Sequence, residues 1–147
     1  MFLNKENLLY IIWVLEEVRI SLNLTNKELY RLIQDKEVIK YLTENYDELH
    51  SYGVEEGVNA VMMIITGVKG NISLNDLKSN DIVVHNMETL VLSMMLHIDK
   101  YAEECYNMVL KSKEYELICN TEFDDWTYSP YAWEDKIYKE LGLDVEW

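Results

Sequence analysis

The chain has 147 residues, 49% of them hydrophobic, and its 27 acidic residues against 13 lysines and arginines give a net charge of −14. This length suits a single folded domain that needs neither a metal nor a disulfide. Such a negative charge repels phosphate backbones, which excludes nucleic acid as a partner. The two cysteines, Cys105 and Cys119, have no CxxC or His/Cys spacing, so we expect reduced thiols and no cofactor.

The first predicted element is a helix from after Asn4 to about Ser21. Its apolar side chains occur on most sides of the helix, which predicts a central, covered position. Its run LLYIIWVL is followed by EEVR rather than by a cleavage site. The run is also far shorter than the roughly 20 residues that span a bilayer. We therefore expect no membrane association and a cytoplasmic protein.

The next two helices are predicted from their end signals. In the sequence TNKE, Thr25 is an N-cap and Glu28 completes a capping box, which places a second helix over about 26–34. A third helix is predicted from about Glu37 to Gly53, where the glycine ends it.

A fourth amphipathic helix is predicted from Val54 to just before Gly67. The following segment is rich in glycine, asparagine and serine and is predicted to be a linker or loop. These features divide the chain into an N-terminal four-helix unit (1–66), a linker (67–82) and an acidic C-terminal helical unit packed on the first (83–147).

The second half is predicted to begin with a long helix over about 86–111, and 113–119 is compatible with either helix or strand. The last helix has Ser129 as N-cap, Pro130 in its first position and Gly142 at its end. The predicted fold is all-α, a compact bundle of about six to seven helices in two packed halves.

Negative charge and aromatic rings occur together near the C-terminus. Residues 114–147 contain ten acids and three of the four tryptophans. Aromatic residues within charge of one sign favour a basic protein partner. The alternative is that the rings pack onto the long helix and the acids face water. The predicted partner-binding residues are Asp124, Asp125, Trp126, Tyr128, Trp133 and Glu134.

The stretch TENYDELHSYG, residues 43–53, contains the one candidate metal site. Asp47 and His50 lie three residues apart, and Glu44 precedes Asp47 by three, so the three groups share one side of a helix. Helical di-iron sites require more ligands than this. A histidine in a last helical turn and a glycine after it are also typical of a helix end. We favour the helix end and expect no metal.

Catalytic motifs are not found in the sequence. His85 and His97 lie on different sides of any shared helix and are predicted to be surface or boundary residues. The chain contains no P-loop, GxGxxG or HExxH pattern and no Ser/His/Asp order. We therefore do not expect an enzyme.

Residues 6 to about 66 resemble a family of short bacterial helical proteins catalogued as a domain of unknown function. The resemblance rests on a small capped helix, a VIxYL-like turn and the pattern Tyr-Asp-x-Leu-His-x-x-Gly, formed here by Tyr46, Asp47, Leu49, His50 and Gly53. Members of that family are often encoded beside a toxin that resembles ADP-ribosyltransferases. The resemblance implies an antitoxin-like or accessory role, without known catalytic residues.

From these observations we expect a bacterial or phage protein that acts by stoichiometric binding to a basic face of a partner, such as a toxin or a defence enzyme. Two alternatives stay open. One is a metal-dependent or hydrolytic enzyme that uses Glu44, Asp47 and His50. The other is a homodimeric interaction protein that buries Leu92 and Leu96 of the long helix across a two-fold axis.

Overall fold

The computed structural model describes residues 5–79, 81–119 and 130–143, which form nine α-helices and one short 3-10 turn and contain no strand. The helices are α1 (Lys5–Ser21), α2 (Asn26–Asp35), α3 (Val38–Glu44), α4 (Tyr46–Ser51), α5 (Val54–Thr66), α6 (Asp81–His97), α7 (Ala102–Lys111), α8 (Glu114–Cys119) and α9 (Pro130–Glu140), with the 3-10 turn at Leu74–Asp76. The all-α prediction is confirmed. The helix count exceeds the expected six to seven because two predicted helices each divide and 113–119 adds a short helix.

Helix α1 lies at the centre of the molecule. It packs against α5 on one side and α6 on another, and α6 in turn contacts α7 and α9. Six apolar side chains of α1 are fully buried: Leu8, Ile11, Ile12, Val14, Leu15 and Val18. The predicted central position is therefore confirmed, and one hydrophobic core extends through both halves of the chain.

Local end signals place several helix boundaries correctly. The Glu28 N–H donates to Thr25 Oγ1 and the Thr25 N–H donates to Glu28 Oε1, both at 3.1 Å, so the predicted capping box starts α2. Gly67 (φ +80°) and Gly142 (φ +71°) adopt the left-handed conformation after α5 and α9. The predicted N-cap Ser129 lies outside the described residues.

The single helix predicted from Glu37 to Gly53 is wrong, because the chain bends at Asn45 between α3 and α4. The Asn45 side-chain amide donates to the Tyr41 carbonyl at 2.9 Å. A local side-chain bond of this kind competes with regular helix geometry. The bend starts a new helix that places Leu49 in the core.

The long helix predicted over 86–111 also divides, because α6 ends at His97 and α7 begins at Ala102. Tyr101 has an extended backbone (φ −73°, ψ 160°), and its N–H donates to Glu104 Oε1 at 3.3 Å. Glutamates in the first turn stabilise a helix N-terminus. These interactions favour a new start for α7 over continuation of α6.

The predicted linker is fixed against the first half of the chain. Asn59 of α5 exchanges two 2.9 Å hydrogen bonds with the backbone of Ile72. The fully buried carboxylate of Glu17 accepts the N–H groups of Lys78, at 2.9 and 3.0 Å, and of Ser79, at 2.5 Å. Residues 67–79 are therefore held on α1 and α5.

None of the helices within the described ranges combines the length and the hydropathy that crossing a membrane requires.

Candidate functional site

The side chains of the Tyr-Asp-x-Leu-His-x-x-Gly pattern join α4 to α1. The Tyr46 and His50 rings stack with centroids 4.3 Å apart, and His50 Nδ1 lies 2.7 Å from the Tyr46 carbonyl, to which it donates as the N–H tautomer. Tyr10 of α1 meets Tyr46 edge-on at 5.5 Å and donates its hydroxyl proton to the Gly53 carbonyl at 3.0 Å. These contacts explain the pattern as a structural junction.

A close crossing of α1 and α5 lies beside this junction. A Cβ atom at Gly57 would stand 2.5 Å from Tyr10 Oη and 2.8 Å from Val14 Cγ2, so only glycine fits without displacement. Burial, with a contribution from Glu55, raises the pKa of the Tyr10 hydroxyl well above its ordinary value. Tyr10 therefore stays protonated at physiological pH and serves as a hydrogen-bond donor.

We expect Tyr10→Phe to lower the free energy of unfolding by about 1 kcal/mol, because it removes the bond to the Gly53 carbonyl and keeps the ring. Urea denaturation followed by circular dichroism measures this loss. The exposed Tyr52 supplies the matched control, and Tyr52→Phe is expected to leave the midpoint unchanged. Equal midpoints for the two variants would contradict the assigned bond.

The three candidate metal ligands are not arranged as a site. Glu44 ends α3, whereas Asp47 and His50 belong to α4, and all three side chains are exposed. One ring nitrogen of His50 is already bonded to Tyr46. Within residues 5–79, 81–119 and 130–143, no three His, Cys, Asp or Glu side chains come together in a way that would hold a metal ion.

Two of the predicted partner-binding residues lie in the interior. Trp133 is 5% exposed and Glu134 is 0% exposed. The Glu134 carboxylate accepts hydrogen bonds from Ser93 (2.5 Å), His97 Nδ1 (2.8 Å) and Tyr138 (2.5 Å). Glu134 joins α9 to α6 and Trp133 belongs to the hydrophobic core, so their assignment to an exposed surface is corrected. Asp124, Asp125, Trp126 and Tyr128 lie outside the described residues.

A third buried carboxylate, after those of Glu17 and Glu134, connects α1 with α8. Glu16 forms an ion pair with Arg19 at 3.0 Å and accepts the hydroxyl proton of Tyr115. Arg19 also lies over the Tyr115 ring, 5.7 Å from its centroid. Cys119 lines a cleft of about 370 Å³ beside this group. Burial raises the pKa of the Cys119 thiol to about 12, so the thiol is neutral at physiological pH.

An exposed surface that combines apolar and acidic side chains occurs where α6 meets α7. Leu96 is 84% exposed and Tyr101 is 53% exposed. Asp99 lies between them in the chain, Glu103 and Glu104 follow Tyr101, and each acid is at least partly exposed. The same stretch holds one exposed cation, Lys100, which pairs with Glu104. We call residues 96–104 the α6–α7 corner. The corner is not evident from the sequence, because the apolar spacing of these residues predicts a continuous helix.

Similarity to known proteins is found in the first part of the chain. Searches of curated protein sequences and of solved structures found no match. Residues 9–66, which form α2 to α5 and most of α1, match the family model described as "Protein of unknown function (DUF3791)".

Proposed function

We propose that this protein is a non-catalytic inhibitor, antitoxin-like or directed against a defence enzyme, that binds a basic face of a partner protein in a fixed stoichiometry. The observation that carries this proposal is the α6–α7 corner, where exposed Leu96 and Tyr101 occur in one short stretch with three acidic residues and one lysine. Large apolar side chains supply contact area in an interface. The surrounding carboxylates select a partner of opposite charge.

The distribution of the acidic residues supports this assignment. Three buried carboxylates accept hydrogen bonds from other residues of the chain and cannot contact a partner: Glu16, Glu17 and Glu134. In the corner, Asp99 is exposed and Glu103 is partly exposed, whereas the exposed Glu104 accepts the Tyr101 N–H and pairs with Lys100. Asp99 and Glu103 are therefore the acids that a partner can contact. A net charge of −14 also accelerates encounter with a basic protein at low ionic strength. The resemblance of residues 6–66 to proteins encoded beside toxins supports a toxin as that partner.

The test is a quantitative pull-down from the native host followed by calorimetric titration of the captured partner. The double variant Leu96→Ser, Tyr101→Ala is expected to weaken binding by about tenfold or more, because it removes both apolar anchors. Val68→Ser, at an exposed position outside the corner, is the matched control and is expected to bind as the native chain does.

Charge is tested separately from apolar contact. Asp99→Lys together with Glu103→Lys is expected to slow association and to flatten its dependence on salt, since long-range steering is lost. The proposal fails if no partner binds saturably. It also fails if the apolar and charge variants both bind with native affinity and rate.

A homodimer is the second candidate, favoured by the 84% exposure of Leu96. Ile82 is also exposed and precedes Leu96 by about four helical turns, which places both on one side of α6. Leu92, the other residue proposed for this interface, is only partly buried. Light scattering gives the mass directly, and a dimer that Leu96→Glu converts to monomer would favour this candidate.

A further inference from the structure

A groove lies between the α3–α4 pair and α5, and all of its lining residues except Lys69 belong to the segment that matches the family model. It has a volume of about 400 Å³, within the range of ligand-binding clefts. Its apolar lining consists of Tyr41, Leu49, Ala60, Met63 and Ile64. The bend at Asn45 separates α3 from α4 and so helps to form the groove.

The floor and the wall of the groove differ in their accessibility. Leu49 is buried and closes the floor. Met63 is 50% exposed on the α5 side. Methionine is flexible and polarisable, so a surface that contains it adapts to apolar side chains of different shapes. The groove therefore suits one large apolar side chain of an incoming segment.

The rim of the groove is acidic. Lys69 lies 3.8 Å from Glu56, so these two charges offset each other. Exposed Glu48 then determines the sign of the rim. An incoming segment with a lysine or arginine near its apolar residue would complement Glu48. A segment of a basic protein complements this acidic rim better than a second copy of this chain, whose net charge is −14.

We propose that this groove binds a short segment of a partner protein that carries a large apolar residue within one helical turn of a lysine or arginine. The proposal rests on the proposed binding function and specifies a docking point for the partner that is separate from the α6–α7 corner. The apolar side chain enters beside Met63, and the basic group lies at Glu48.

The probe is a displayed library of random peptides of about twelve residues, from which bound sequences are recovered and synthesised. Selected peptides are expected to contain a large apolar residue next to lysine or arginine. Each peptide is then titrated into protein labelled with ¹³C at the methionine methyl groups. The Met63 signal, assigned with Met63→Leu, is expected to shift, whereas the signals of buried Met87 and Met94 stay in place.

Two variants test the apolar and the charged contact. Met63→Glu is expected to weaken peptide binding by about tenfold, since it puts a charge into the apolar wall. Glu48→Gln keeps the shape and is expected to weaken binding by about threefold and to reduce its salt dependence. Val68→Glu, at an exposed position that does not line the groove, is the charge-matched control. Selection of peptides without basic residues, or native affinity for both variants, overturns the inference.

The same variants separate this inference from the proposed function. A native partner that is lost with the Leu96 and Tyr101 variants but binds Met63→Glu normally supports the corner and overturns the groove. A native partner that loses affinity with Met63→Glu, together with the peptide result, supports the groove. If no native partner binds, the proposed function fails, and the peptide titration still decides whether the groove accepts a basic, apolar segment.

Discussion

Replacing Glu134 with alanine is expected to lower the free energy of unfolding by about 3–5 kcal/mol. The change removes a fully buried acceptor and leaves the donors of Ser93, His97 and Tyr138 without it. His97 is partly exposed and regains a bond to water, whereas Tyr138 is buried and does not. The lost carboxylate also leaves a cavity between α6 and α9.

Urea denaturation of Glu134→Ala measures this loss, with Asp135→Ala as the matched control. Asp135 follows Glu134 in the chain and forms a partly exposed ion pair with Lys139 at 2.8 Å, so its removal is expected to cost less than about 1 kcal/mol. Glu134→Gln keeps the shape and one acceptor and should fall between the two. Equal midpoints for Glu134→Ala and the control would refute the buried network.

A second large effect is expected for Glu16→Ala, which should lower the free energy of unfolding by about 2–4 kcal/mol. This variant removes the acceptor for the Tyr115 hydroxyl and the counter-charge of Arg19. Burial raises the pKa of Tyr115 well above its ordinary value, with Glu16 adding to the shift, so this hydroxyl stays protonated and needs an acceptor. The guanidinium of Arg19 keeps some contact with water, which limits the loss.

Thermal and urea unfolding of Glu16→Ala test this expectation beside Glu104→Ala. Glu104 forms an exposed pair with Lys100 at 3.5 Å and also accepts the Tyr101 N–H at the start of α7, so its removal should cost about 1 kcal/mol. Glu16→Leu leaves the charge of Arg19 unpaired. The double variant Glu16→Leu, Arg19→Leu removes that charge as well and should therefore be more stable than Glu16→Leu alone. If Glu16→Ala lowers the free energy of unfolding no more than Glu104→Ala does, the assigned burial of the Glu16–Arg19 pair is wrong.

Helices with strong end signals are predictable from this sequence, and bends within a continuous apolar pattern are not. The capping box at Thr25, the glycine at Gly67 and the proline at Pro130 act through bonds within a few residues, so the sequence alone reveals them. At Asn45 and at residues 98–101 the apolar spacing continues while the chain bends. The bonds at these positions, from Asn45 to Tyr41 and from Tyr101 to Glu104, are local, but apolar spacing does not show that they outweigh continuation of the helix.

The functional residues were harder to predict for a related reason. An acidic residue is ordinarily assigned to the surface, and the donors that bury Glu134 include Ser93 and His97, which lie 41 and 37 residues earlier. Tyr138, four residues later on the same helical face, is the one local signal of that network. The position of His50 at a helix end is predictable from the sequence. The hydrogen bond from Tyr10 to the Gly53 carbonyl is not, because 43 residues separate the two.

The central position of α1 determines whether the family-matched segment is autonomous. One side of α1 is covered by α6, and the carboxylates of Glu16 and Glu17 find their partners at Tyr115 and at Lys78 and Ser79. Excised alone, residues 9–66 would expose that apolar side to solvent, leave Glu17 without its native donors and leave Glu16 with Arg19 alone. A shorter chain built on this segment must therefore shield α1 by self-association or by a different set of residues.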